Sequence, residues 1–214
     1  MSQARAKKPA PHGEPSDTAR KLLAATEACL RRYGYAGLST RKVAEMAEVP
    51  LSQIHYHFGT KKNLVLALLA RQNERLLERQ TEMFGERLPL WKRWEIACDF
   101  LDVDLESGYV RVLLEMTTAG WSDPEIAAEI QKMRGGWFDL LTRVAEEASA
   151  MLGGLGPFTA AEMANMVGNL FYGVEVAMLS GFGEAHHPAP PALRKIGKLI
   201  RLAEEKAADK QSET

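Results

Sequence analysis

The chain has 214 residues, 46% of them hydrophobic and 26% charged, enough to bury one core or a small module beside a larger one, and this composition excludes wholesale disorder. The net charge of −1 hides an asymmetry: up to Lys62 there are eleven basic and five acidic residues, whereas the remainder holds 16 basic and 23 acidic ones. A basic front and an acidic back point to two jobs, with a polyanion as partner at the front.

Residues 1–15 are rich in proline, alanine and lysine and read as a disordered arm. Prolines at 9, 11 and 15 follow Arg5, Lys7 and Lys8 where a signal peptide needs an apolar run, so the expected location is the cytoplasm. The most apolar stretch, 163–182, is interrupted by Asn165, Asn169, Glu175 and glycines, and is not expected to span a membrane. Cys29 and Cys98 stand alone and offer neither a disulfide framework nor zinc-ligand spacing.

Ser16 or Asp17 is placed to cap a first helix that Gly34 stops, with Leu22, Leu23, Thr26 and Leu30 at helical spacing. Thr40 is read as the cap of a second helix, with Val43, Ala44 and Ala47 facing inward. A short third helix follows Pro50, with Leu51, Ile54 and Phe58 on one stripe. Thr60 caps a long fourth helix carrying Leu64, Ala67, Leu68, Leu76 and Leu77. Further helices are expected over 88–106, 109–119, 124–151, 159–181 and 191–208. Asp123-Pro124 supplies a start signal, and the glycines at 153, 154 and 156 before Pro157 a break. No segment alternates as a strand, so the fold class is all-α.

Helices two and three, joined by a tight turn, make a helix-turn-helix. Their apolar positions bury a small core that fixes the crossing angle. Ser52, Gln53, His55, Tyr56 and His57 then project outward, a run without one carboxylate, which suits a phosphate-lined groove. Leu51 is open to two readings, contact with a thymine methyl or membership of the core stripe. His55 and His57 lack a third ligand for a metal. Glu184-Ala185-His186-His187 is one Glu-x-x-His ahead of prolines, in a loop, where a di-iron bundle needs two on helices. Neither an enzyme nor a cofactor is expected.

The run Leu38-Ser39-Thr40-Arg41-Lys42-Val43-Ala44-Glu45-Met46-Ala47-Glu48-Val49, continued by Ile54-His55-Tyr56-His57-Phe58-Gly59-Thr60-Lys61-Lys62-Asn63-Leu64, resembles the DNA-binding domain of the TetR family of transcriptional repressors. The resemblance covers about residues 16–76. It implies a helix-turn-helix domain over 16–62, a helical ligand-binding and dimerisation domain over 63–209, and a tail at 210–214. It implies DNA contacts by Thr40, Arg41, Ser52, Gln53, His55, Tyr56, His57 and Lys61, with Lys61 at the N-terminus of the fourth helix. Two positions depart from the family pattern. Glu48 stands where glycine is common, which costs about 1–2 kcal/mol if the turn needs a left-handed residue. His55 stands where tyrosine is usual.

The helix over 159–181 is apolar nearly all round, so it needs one partner inside the subunit and another across an interface. The resemblance implies a homodimer through 124–151 and 159–181. It also implies a cavity for a small apolar or aromatic effector, with Trp91, Trp94, Met116, Trp121, Trp137, Phe138, Tyr172 and Glu175 as candidate contacts. Asp102, Glu115 and Asn169 are further polar candidates. Glu175, alone in its apolar helix, faces either the ligand or a second subunit. The function so implied is a ligand-responsive repressor bound to double-stranded operator DNA, with no role for a membrane. The alternative is an all-α enzyme or small-molecule carrier without DNA binding.

Overall fold

Side-chain caps fix where most of the helices begin. In the computed structural model, which describes residues 15–86, 88–181 and 189–212, the elements are all helical. Residues 1–14 of the arm and the Glu184-Ala185-His186-His187 segment lie outside those residues. The helices are α1 (Asp17–Gly37), α2 (Thr40–Met46), α3 (Leu51–His57), α4 (Lys61–Gly85), α5 (Leu90–Ser107), α6 (Tyr109–Ala119), α7 (Pro124–Leu152), α8 (Ala160–Leu179) and α9 (Ala189–Ser212). The chain divides into two compact units, Met1–Arg71 and Gln72–Thr214, and the division falls within α4. Among the described residues no helix is long and apolar enough to cross a membrane.

In the first unit, Ser16 Oγ accepts from the Ala19 N–H and caps α1. Gly34 interrupts the helical conformation with φ 65°. Ser39, not Thr40, caps α2: its hydroxyl accepts from the Lys42 N–H at 3.3 Å, and Thr40 is the first helical residue. Two adjacent capping residues made that boundary ambiguous by one position. Thr60 caps α4 as expected, accepting from the Asn63 N–H at 3.1 Å. Leu22, Leu30, Val43, Ile54, Leu64, Val65 and Leu69 are fully buried and form this unit's core. Leu51 and Phe58 are half-buried.

The turn between α2 and α3 closes with the Glu48 N–H on the Glu45 carbonyl and the Val49 N–H on the Ala44 carbonyl. This is a Schellman motif, which places its fifth residue, the one just past the C-cap, in the left-handed region. That residue is Glu48, at φ 55°, the one non-glycine with positive φ among the described residues. A left-handed L-residue costs about 1–2 kcal/mol, and glycine's extra chain entropy takes back about 0.5–1 kcal/mol. Glu48→Gly is therefore expected to stabilise the first unit by roughly 0.5–1 kcal/mol, read as a rise in its unfolding midpoint. An unchanged or lower midpoint would mean that the turn carries no strain.

In the second unit, α7 packs along α8 and α5 along α9. Asp123 caps α7, with Pro124 at its first position, and Gly153 ends it at φ 74°. Thr159 caps α8 in a reciprocal box with Glu162. Cys98 and Leu101 of α5, Phe171 and Val174 of α8 and Leu193 of α9 form a buried cluster, with Trp94 and Trp137 packed against it. The N-terminus of α5 has only Pro89 before it and no local side-chain cap. Glu204 of α9 supplies one instead, its two carboxylate oxygens accepting from the Leu90 and Trp91 N–H groups at 2.8 and 3.0 Å.

Candidate nucleic-acid interface and ligand cavity

The recognition surface is built by α3, whose inner stripe is anchored by the fully buried Ile54. That anchor turns Ser52, His55 and Tyr56 to solvent and leaves Gln53 and His57 half-exposed. Tyr56 is 81% exposed, which no folding requirement explains for so large a ring. Its edge meets the His57 ring at 4.9 Å between centroids, so the two side chains are held together. His55 Nδ1 lies 3.0 Å from the Gly59 carbonyl oxygen and closes the C-terminal end of α3. Thr40 is half-buried and Arg41 exposed at the start of α2.

Lys61 is engaged differently from the other candidates. Its Nζ donates to the Tyr35 and Leu38 carbonyl oxygens at 2.8 and 2.9 Å and lies 4.3 Å from the centre of the Tyr35 ring. Burial draws its pKa down. The ammonium thus ties the start of α4 to the end of α1. Lys42 does similar work, donating to the Gly37 carbonyl beneath the Tyr33 ring.

The second unit holds a cavity of about 340 Å³ with walls from α4 to α9, in the size range of small-molecule sites, about 300–1,000 Å³. Its wall is mostly apolar, with Phe84, Trp94, Met133, Trp137, Val167 and Phe171 among its members. Trp94 and Phe171 meet edge to face at 5.4 Å. The ring nitrogens of both wall tryptophans are already bonded, Trp94 to the Leu193 carbonyl at 2.8 Å and Trp137 to Gln80 Oε1 at 3.0 Å. Each therefore presents an apolar ring without an unsatisfied donor.

The candidate contacts divide on this map. Trp94, Trp137, Tyr172 and Glu175 line the cavity. Trp91 lines a separate surface groove with Arg201 and Glu204. Met116 is completely buried away from the cavity, and Trp121 is 84% exposed on the turn after α6. Phe138 packs beneath Gly168, where a Cβ would lie 2.5 Å from its ring. Of the further polar candidates, Asp102 pairs with Arg194 at 2.6 Å, Glu115 with Arg111 at 3.1 Å, and Asn169 bonds to Asn165 one turn earlier. None of the three reaches the cavity.

Sequence reasoning passed over Asp104, Tyr109 and Arg134, which line the cavity beside Glu175. Asp104 accepts both hydrogen bonds of the Arg79 guanidinium at 3.0 and 2.8 Å. The Tyr109 hydroxyl donates to Asn73 Oδ1. Burial, reinforced by the nearby Asp104 charge and opposed by Arg134, pushes the Glu175 carboxyl up to about 7. Among the described residues no group of three or more His, Cys, Asp or Glu side chains is placed to hold a metal ion.

Residues 22–68 match the family described as bacterial regulatory proteins, tetR family. The front unit carries a tetR-family domain. Over 65 residues the chain is 31% identical to the HTH-type transcriptional repressor AcnR of Corynebacterium glutamicum, a match covering 30% of this chain and 35% of that protein. The alignment thus spans about a third of that curated relative's length. The fold extends the likeness to the second unit. The regulator FadR from Bacillus subtilis, solved with stearoyl-CoA, superposes with a TM-score of 0.70 at 14% identity, covering 85% of this chain and 96% of that one. A transcriptional regulator from Saccharomonospora viridis, solved with choline, gives 0.70 at 19% identity over 86% and 95%. At such identities the likeness is one of fold: a helix-turn-helix tetR-type domain followed by a helical C-terminal domain.

Proposed function

We propose that the protein is a homodimeric, ligand-responsive transcriptional repressor that leaves its operator when a small molecule enters the cavity of the second unit. The observation that carries this reading is the outer surface of α3. It presents an 81%-exposed tyrosine, two histidines, a glutamine and a serine with no carboxylate among them. Such a surface is poorly explained by solubility alone and suits a groove lined by phosphates. An enzyme or carrier has no use for it.

Supporting the regulatory half of the proposal, α4 is one continuous helix that starts at Lys61, beside the helix-turn-helix, and supplies Asn73, Leu76, Gln80 and Phe84 to the cavity wall. A ligand that shifts those side chains acts on the helix that also holds the end of α1 through Lys61. In a dimer, such a shift changes the spacing of two recognition helices, which must match half-sites about 34 Å apart or a multiple of that. Neighbours of the same fold hold an acyl-CoA and choline, in keeping with a small-molecule effector.

The test is selection of bound fragments from random DNA, followed by variants of α3. Gln53→Ala is expected to relax specificity at one or two operator positions, at a cost of about 1–3 kcal/mol, while affinity for random DNA stays unchanged. His57→Ala is expected to weaken operator and random DNA by the same factor. Absence of any salt-dependent DNA retention would overturn the proposal.

A further inference from the structure

The cavity wall carries four charged side chains: Arg93, Asp104, Arg134 and Glu175. Two of them are paired with side chains of opposite charge. Arg93 forms two hydrogen bonds to Glu147, at 2.8 and 3.1 Å, and Asp104 accepts from Arg79 Nη2 with both oxygens. Arg134 rests its guanidinium over the Tyr172 ring, 4.5 Å from the centroid. Glu175 is left. It is largely buried, and no described residue hydrogen-bonds or ion-pairs with its carboxylate. A partly buried carboxylate that faces a cavity without a partner is costly in a fold and is retained where something else meets it.

We infer that the effector is an organic cation, a protonated or quaternary amine on an apolar body, with its charge against Glu175 and its body along Trp94, Trp137 and Phe171. This deepens the proposed function and rests on its reading of the cavity as the effector site. Three observations fix the sign of the charge. The charged groups that act on Glu175 are Asp104 of α5 and Arg134 of α7, and the Asp104 repulsion outweighs the Arg134 attraction. Arg134 therefore does not neutralise the Glu175 carboxylate, and a bound anion would meet that carboxylate directly. The Arg134 charge is already placed on an aromatic face. The rest of the wall is aromatic and aliphatic, which suits an apolar body and gives a cation ring faces to approach.

The ionisable groups around Glu175 also set how binding depends on pH. They are Asp104 on α5, Tyr109 on α6, Arg134 on α7 and Tyr172 on its own α8, with Arg79 of α4 behind Asp104. Burial pushes the Tyr109 phenol upward, so it stays neutral. In the empty cavity Glu175 is half-protonated near pH 7. A permanent cation displaces that proton, so its affinity rises with pH up to about neutrality and then levels off.

The test uses three chain-matched probes on the full-length protein, each below its micellar concentration: decyltrimethylammonium, decanol and decanoate. Binding is read by calorimetry or by the fluorescence of Trp94 and Trp137. At about pH 8.5 the cation is expected to bind at least about tenfold more tightly than decanol, and to lose up to about tenfold per unit as pH falls toward about 5.5. Glu175→Gln is expected to abolish both the preference and the slope. Should that variant not fold, the wild-type slope still decides: an affinity for decyltrimethylammonium that is flat or falls with pH overturns the inference. So does tightest binding of decanoate, a preference that survives Glu175→Gln, or exclusion of all three probes. Release from operator DNA is measured separately. Cation binding without release leaves the ligand class standing and removes the regulatory reading, whereas decanoate binding with release does the reverse.

Discussion

If α8 is the interface of the proposed dimer, Gly173→Trp is expected to give a folded monomer and to lower operator affinity by roughly 10²–10⁴, the range lost when two linked contacts become one. Residues 166, 170, 173 and 177 recur at helical spacing on α8 and share one face. On it Met166 is 52% and Leu170 41% exposed, and Val176, Met178 and Leu179 extend the apolar surface toward the helix end. The opposite face, with Ala164, Gly168, Phe171 and Val174, is buried in the subunit. An apolar helix with one face covered and one bare is an association surface, and a twofold mate presenting the same patch covers it without residue.

The two glycines of α8 separate interface from fold. A Cβ at Gly173 would meet nothing within 4 Å, so the subunit has room for a large side chain there. A Cβ at Gly168 would sit 2.5 Å from the Phe138 ring and 3.1 Å from Trp137. Gly168→Trp therefore disrupts the subunit, while Gly173→Trp over-packs only what lies outside it. Sedimentation at micromolar concentration together with circular dichroism distinguishes the two outcomes. A Gly173→Trp protein that remains dimeric and binds its operator as tightly as the wild type would exclude α8 as the interface.

How much of this was legible in the chain depends on how local each interaction is. Helix starts set by a single residue and its own first turn could be read directly, as at Thr60 and Asp123, and to within one residue at Ser16. The left-handed position of Glu48 was signalled by the resemblance, in which glycine is common at that place in the turn. Caps supplied from a distance were not. Glu204 closes α5 from 114 residues away, and Lys61 reaches back 26 and 23 residues to the end of α1. No periodicity encodes such pairings.

The cavity shows the same limit. In helices that are apolar on most sides, spacing alone does not say which aromatic faces the void and which the core, so Trp94 and Trp137 could not be sorted from Met116 and Phe138. Among the acids, Asp102 and Asp104 lie two residues apart on α5, about 200° around the helix. The first turns outward to Arg194 and the second inward to Arg79 and the cavity. Glu175 was legible because it is the one acid among the inward residues of α8, and a lone charge in an apolar helix has to be explained by what it faces.

That burial makes Glu175 a liability to the empty protein, with a defined pH signature. Its folded-state pKa is raised from 4.5 to about 7. Between those values the folded protein holds a proton that the unfolded chain has released. Stability therefore falls as pH rises from about 4.5 toward 7, and the deficit is complete above that range. Glu175→Gln keeps the shape and removes the ionisation. It is expected to stabilise the ligand-free second unit by roughly 3 kcal/mol at about pH 8, a shift of about two and a half units at 1.36 kcal/mol each. Below the window, where the wild-type carboxyl is neutral in the fold and largely so in the unfolded chain, the gain should vanish. Urea unfolding of both proteins across this range measures the difference. A gap independent of pH would mean that the substitution acts through packing. A wild-type protein that is the more stable of the two at about pH 8, with the difference closing toward acid, would mean that Glu175 is held ionised, with Arg134 as its effective partner in place of a ligand.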